Sequence, residues 1–134
     1  MAKKKSTYED LQENIRDIEF PEIEVFKNKY ADRDYEVNLE SPEFTCICPK
    51  TGLPDFGDII VTYCPDKLCV ELKSFKLYLV AFRNVGIFHE NVVNRVLDDF
   101  VKACKPRWAR VESIVMPRGG ITTTVKAEYK KGKK

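Results

Sequence analysis

An α+β domain in the order strand, strand, helix, strand, strand is predicted by three stretches of the chain. Residues 58–82, DIIVTYCPDKLCVELKSFKLYLVAF, hold two β-rich runs about a Pro65-Asp66-Lys67 turn. Residues 91–105, NVVNRVLDDFVKACK, carry apolar side chains at helical spacing. Residues 109–129 hold two further β-rich runs about Arg118-Gly119-Gly120.

Residues 1–19 are charged and rich in helix formers, with Tyr8, Leu11, Ile15 and Ile18 three or four apart, which suits a short amphipathic helix or a frayed arm. From Phe20 to Glu43 the chain turns irregular: Phe26, Tyr30 and Tyr35 are separated by charges and two prolines, the pattern of an extended lead-in lying across a core. FTCICPKTGLPDFGD, residues 44–58, shows no period of either kind and reads as a loop stiffened by Pro49 and Pro54. In the first hairpin, a long second strand places Cys69, Glu71, Lys73 and Phe75 on one face and Val70, Leu72, Ser74, Lys76 and Tyr78 on the other. The helix has its stripe at Val92, Val93, Val96, Leu97, Phe100, Val101 and Cys104, with Lys102 and Lys105 suited to its negative end and Pro106 stopping it. In the last hairpin, glycine supplies the positive φ that a tight reversal requires.

The chain has 134 residues, 43% hydrophobic and 33% charged, with a net charge of +2, which bounds it to one ordinary globular domain over 20–130 with a basic tail at 131–134. No charge field dominates, so direct nucleic-acid binding is not expected; MAKKK and KKGKK read as solvated tails. With no apolar leader and no run approaching the roughly 20 residues a membrane span needs, the expected location is the cytoplasm, with no membrane contact. Five cysteines without a disulfide spacing agree with a reducing compartment.

Three places carry candidate chemistry. Cysteine attacks as its thiolate, so a reactive one is exposed beside groups that favour the anion. Cys48 precedes Pro49 and Lys50, and Asp55 lies seven residues on, past a bend that would fold it back toward the sulfur. The alternative is a small buried thiol and a turn-forming aspartate. Cys46 and Cys48 form a C-x-C, but no second cysteine pair follows and His89 is the one histidine, so no metal site is expected. Phe88-His89-Glu90 offers a stacking face, a group titrating near neutrality and a carboxylate able to take two parallel N–H donors; an acidic helix start would look the same. Lys73 and Lys76 point to opposite faces of their strand and make no single patch, which reads as an edge-strand device, while the Arg118-Gly119-Gly120 turn suits an anion or is a plain hairpin turn.

Taken together, the C-P-x-T-x-x-P-D-F loop (Cys48 to Phe56), E-L-K-S-F-K-L-Y (Glu71 to Tyr78) and F-H-E (Phe88 to Glu90) resemble the 7-cyano-7-deazaguanine reductases, NADPH-dependent nitrile reductases of the queuosine pathway of tRNA modification. The likeness runs from about Tyr30 to Tyr129. It implies a tunnelling fold, β-β-α-α-β-β, whose subunits join edge to edge into a barrel with sites at their interfaces. A second short helix would then come from Asn84 to Phe88 or the helix tail.

The resemblance also implies roles. Cys48 would add to the nitrile carbon to form a thioimide, Asp55 would protonate the nitrogen and His89 would assist the later proton movements. Val70, Glu71, Leu72, Phe88, His89 and Glu90 would hold 7-cyano-7-deazaguanine. Leu72, Lys73, Lys76, Arg118 and Gly119 would contact NADPH, with no dinucleotide-type glycine fingerprint present. The sequence departs from the family's habit at Leu53, often glutamine, and at Leu72, more often serine. The competing functions are an amidine-forming transferase acting on cyano-deazaguanine already in tRNA, and a non-enzymatic purine- or pterin-binding module of the same fold.

Overall fold

Six strands and two helices build the described residues, with the amphipathic helix packed on the main sheet. In the computed structural model, which describes residues 14–132, the order is β1 (Val25–Lys27), β2 (Val37–Ile47), β3 (Pro54–Cys64), β4 (Leu68–Val70), α1 (Leu72–Val80), α2 (His89–Cys104), β5 (Trp108–Arg118) and β6 (Ile121–Lys130). The main sheet runs β2-β3-β5-β6, and β1 pairs with β4 in a separate two-stranded ribbon. Omitting that ribbon leaves β-β-α-α-β-β, the tunnelling-fold order.

Helix α2 follows from its stripe. Val92, Val93, Val96 and Phe100 are fully buried, facing Ile59, Val61 and Tyr63 of β3 and Val111 of β5. Tyr63 and Phe100 meet edge to face at 4.7 Å between centroids, tying the helix to β3. Pro106 follows the end, and Lys105 takes the left-handed cap conformation at φ 48°. The β5–β6 hairpin also forms as expected, with Gly119 at φ 60° and Gly120 at φ 82°.

Three expectations are corrected. First, ELKSFKLY is not a strand, and β3 and β4 are not a hairpin. After three residues of β4 the chain coils into α1, burying Ser74, Phe75, Tyr78 and Leu79 at helical spacing. Alternation misled because a short apolar run fits either period; the decisive signal is a cap. Glu71 accepts hydrogen bonds from the backbone N–H groups of Lys73 (2.8 Å) and Ser74 (2.7 Å), satisfying donors that a helix start leaves open. Second, α1 itself is the additional helix, rather than Asn84 to Phe88 or the tail of α2; residues 81–84 form a 3-10 turn after it. Third, the irregular lead-in contains β2, and the apparent loop at 44–58 is the closed end of the β2–β3 hairpin, with Cys46 opposite Asp55 and Ile47 opposite Pro54. A bulge between Ser41 and Phe44 breaks the alternation that would have marked the strand.

The lead-in is fastened by arginines. Arg107 donates to the carbonyls of Ala31 and Arg33 and to Asp34 (2.5 Å), and Lys131 pairs with Asp66 at 2.6 Å. Arg95 donates to the carbonyls of Ile15 and Ile18, holding the 3-10 turn Ile15–Asp17 on α2. The rest of the N-terminal helix reading lies outside the described residues. No helix among the described residues is long and apolar enough to cross a membrane.

Candidate active site

Strand β2 delivers two cysteines to opposite fates. Side chains on a strand alternate, yet the turn after Ile47 interrupts the alternation, so Cys46 stays under the sheet while Cys48 lies beyond the last ladder pair. Cys46 is wholly buried, and burial, then the charge of Asp55, then Cys48, push its thiol up to about 12. Cys48 is half-buried at the turn. The Thr51 hydroxyl beside it, with the backbone N–H groups of Thr51 and Lys50, holds its thiol below the ordinary value against an opposing effect of burial and Asp55. The turn is rigid: Cys48 N–H donates to the Leu53 carbonyl at 2.9 Å, Gly52 N–H donates to the Cys48 carbonyl at 2.8 Å, and Gly52 supplies φ 72°. Cys48 is thus the more exposed of the two thiols and has donors beside it, whereas Cys46 is the buried one.

Asp55 enters from β3 and His89 from the first position of α2. The segment before that helix is stitched to β2, Ile47 N–H donating to the Val85 carbonyl at 2.9 Å and Ile87 N–H to the Ile47 carbonyl at 3.0 Å. The stitch sets the helix start beside the hairpin end. There, Asp55 Oδ2 and His89 Nε2 approach to 3.3 Å with side chains 13% and 17% exposed. His89 Nδ1 is buried without a hydrogen-bond partner. Phe88 caps α2, its carbonyl accepting from Asn91 and Val92 N–H, and Glu90 projects into solvent from the first turn, where the helix dipole favours a carboxylate.

Lys73 and Lys76, expected on opposite faces of a strand, lie three apart on a helix and so share a face. Lys76 lines a cavity of about 430 Å³ between α1 and β2, with Leu72, Leu79 and Arg83 among its other walls; Lys73 lies outside it. Arg83 was not among the sequence candidates. Val70, Glu71 and Leu72 form the junction of β4 and α1, and the first two are committed within it: Val70 N–H donates to Tyr63 Oη at 3.0 Å and Glu71 N–H to the Glu24 carbonyl at 2.9 Å, while both Glu71 carboxylate oxygens serve the cap; Leu72 is exposed. Arg118 and Gly119 stand at the tip of the β5–β6 hairpin. The structure brings Asp55 and His89 together at the hairpin end, with Cys46 the cysteine whose sulfur lies within 4.8 Å of both and Cys48 at the turn just beyond, where it feels the Asp55 charge. Sequence reasoning missed Thr51, although its place in C-P-x-T offered a signal, and Cys46, which only the cross-strand register reveals.

Comparison with known proteins agrees with this geometry. The family described as QueF-like protein matches residues 54–134. A protein of Chlorobaculum tepidum named NADPH-dependent 7-cyano-7-deazaguanine reductase is 60% identical over 111 residues, covering 83% of this chain and 95% of its own. Proteins of the same name from Chloroherpeton thalassium, 59% identical over 80% of this chain and 92% of theirs, and Nitrosomonas europaea, 54% over 82% and 79%, are also similar. Among solved structures, the archaeosine synthase QueF-Like in its apo form superposes with a TM-score of 0.66 over 69% of this chain and 91% of that one, at 24% identity, a likeness of fold. With its hairpin-end cysteine and its ββααββ order, the chain belongs to the QueF-like protein family.

Proposed function

We propose that this chain reduces the nitrile of 7-cyano-7-deazaguanine to an aminomethyl group with NADPH as reductant. The observation that carries the reading is Cys48, a partly exposed thiol held low by Thr51 at the same hairpin end as the Asp55–His89 pair. The relatives at 54–60% identity that bear the reductase name support the substrate and the reductant.

A nitrile resists hydride addition, and a sulfur bonded to its carbon removes that resistance. The Cys48 thiolate adds to the carbon while Asp55 delivers a proton to the nitrogen, giving a thioimide joined through Sγ. Two molecules of NADPH bound in turn would each supply one hydride to that carbon, one before and one after the sulfur departs, the first leaving as NADP+ before the second binds. Departure is eased by the Thr51 and backbone donors that stabilise the Cys48 anion. His89, in contact with Asp55, renews the proton there. Glu90, exposed at the start of α2, accepts the two parallel N–H donors of the deazaguanine edge, a role that the cap leaves the Glu71 carboxylate less free to take. Phe88 stacks on the ring.

The residues fit a phosphorylated dinucleotide: Lys73 and Lys76 are one turn apart on α1, and the Gly119-Gly120 turn lets backbone N–H groups come close to an anion. These groups lie on elements distinct from the Cys48 hairpin, and β2 and β6 end the sheet with open edges. The proposal therefore includes a homo-oligomer joined edge to edge, with α1 of one copy completing the site of the next. The reaction is placed in the cytoplasm.

Intact mass spectrometry with 7-cyano-7-deazaguanine and no NADPH tests the central step. The expected result is a mass gain of one substrate on the native chain and none on Cys48→Ala. An adduct that survives in Cys48→Ala removes this sulfur from the mechanism.

A further inference from the structure

We propose that Cys46, Asp55 and His89 form a binding site for a thiophilic divalent cation of the zinc class, and that occupation of this site switches the Asp55–His89 pair off. Cys46 Sγ, a carboxylate oxygen of Asp55 and an imidazole nitrogen of His89 all lie within 4.8 Å of one another. They come from three elements, so their convergence belongs to the fold: Cys46 faces Asp55 across the β2–β3 register, and His89 is set there by the bonds between Ile47 and the 85–87 segment.

The spacing is informative. Two ligands bound at about 2.0–2.1 Å with tetrahedral angles stand about 3.3 Å apart. Asp55 Oδ2 and His89 Nε2 are 3.3 Å apart already, and the Cys46 sulfur, within 4.8 Å of a ligand atom of each residue, would close the remaining distance on taking the longer zinc–thiolate bond. Thiolate, imidazole and carboxylate are together the donor set that selects zinc over magnesium or calcium. Three protein ligands leave a fourth position toward the partly exposed side, the open arrangement through which an ion enters. On binding, the sulfur–hydrogen bond of Cys46 breaks, the sulfur–metal bond forms and the proton leaves to solvent, with no change of oxidation state.

That the ion would stop the reductase rests on the function proposed above; its binding does not. Titration of the purified protein with cobalt(II) as the spectroscopic stand-in for zinc reads binding directly. The expected result is a thiolate-to-cobalt absorption band that zinc abolishes, present in the native chain and in Cys48→Ser, and absent in Cys46→Ser. No band in the native chain, or a band lost in Cys48→Ser and kept in Cys46→Ser, overturns the proposal. If Cys46→Ser does not fold, His89→Gln serves instead: cobalt affinity must drop more than about tenfold, the scale on which even a ligand's supporting partners act, and an unchanged affinity sinks the site. Zinc should also slow NADPH oxidation by the native chain. Binding without slowing would leave the site standing and count against the roles given to Asp55 and His89.

Discussion

Cys46 and Cys48 are two residues apart, and hydrogen-bond donors and burial, not sequence distance, separate their chemistry. Around Cys46 there is no water and a carboxylate nearby, so the neutral thiol is favoured; around Cys48 a hydroxyl and two N–H groups face the sulfur, so the anion is favoured. The Thr51 hydroxyl is the strongest influence on the Cys48 sulfur, which makes Thr51→Val a clean test. A donor to the thiolate stabilises the charged form and lowers the pKa; without it the pKa rises. At a fixed neutral pH the anionic fraction then falls and alkylation by iodoacetamide slows. A pH series of alkylation rates should show the midpoint for Thr51→Val displaced upward from that of the native chain, back toward the ordinary thiol range. An unmoved midpoint would mean that the backbone donors alone hold Cys48 down.

Elements in this fold are specified by contacts that a linear reading sees unevenly. Gly57 of β3 lies opposite Val115 of β5, and a Cβ built there would stand 2.5 Å from the Ile114 carbonyl oxygen and 3.1 Å from Val115 Cα. Both are backbone atoms in a central pair of strands, so relief requires a strand to move. Gly57→Ala should therefore cost about 1–3 kcal/mol, the range for overpacking a filled interior, seen as a lower urea midpoint with unchanged slope. An unaltered midpoint would show that β3 and β5 yield easily. The same distinction explains what could be read from the sequence. Helix α2 and the β5–β6 hairpin were legible because a seven-residue stripe and a Gly-Gly turn are local signals. Helix α1 was not, because Glu71 reveals itself as a cap only if the next residues are already assumed helical, and the apolar pattern of 72–80 permits both periods. Strand β2 was hidden by its bulge and by charges on its outward positions. In the site, Cys48, Asp55 and His89 stood out as candidates through the family resemblance that their motifs carry, whereas the place of Cys46 beside Asp55 did not, since it is set by cross-strand register.

At the scale of the whole molecule, the sheet ends in two strands that have a neighbour on one side only, β2 and β6. Apart from Ile47, which is bridged to the 85–87 segment, these edges of 11 and 10 residues have no strand partner among the described residues, and the proposed head-to-tail join of β2 to β6 would close a ring. Such a ring would lay a neighbour beside the β2–α1 cavity that Lys76 lines, and so could bring the cationic helix of one copy to the cysteine hairpin of another. This geometry makes a quantitative demand. Cys48→Ala and Lys76→Glu should each abolish turnover alone, the first by removing the nucleophile and the second by repelling phosphate. Unfolded together in equal amounts and refolded, they should regain about a quarter of native activity, the statistical share of junctions in which the intact Cys48 of one variant meets the intact Lys76 of the other. Sites contained within one copy would regain nothing, because every chain in the mixture carries one lesion. A silent mixture whose sedimentation shows fully formed mixed oligomers would place both groups in the same copy and refute the shared site.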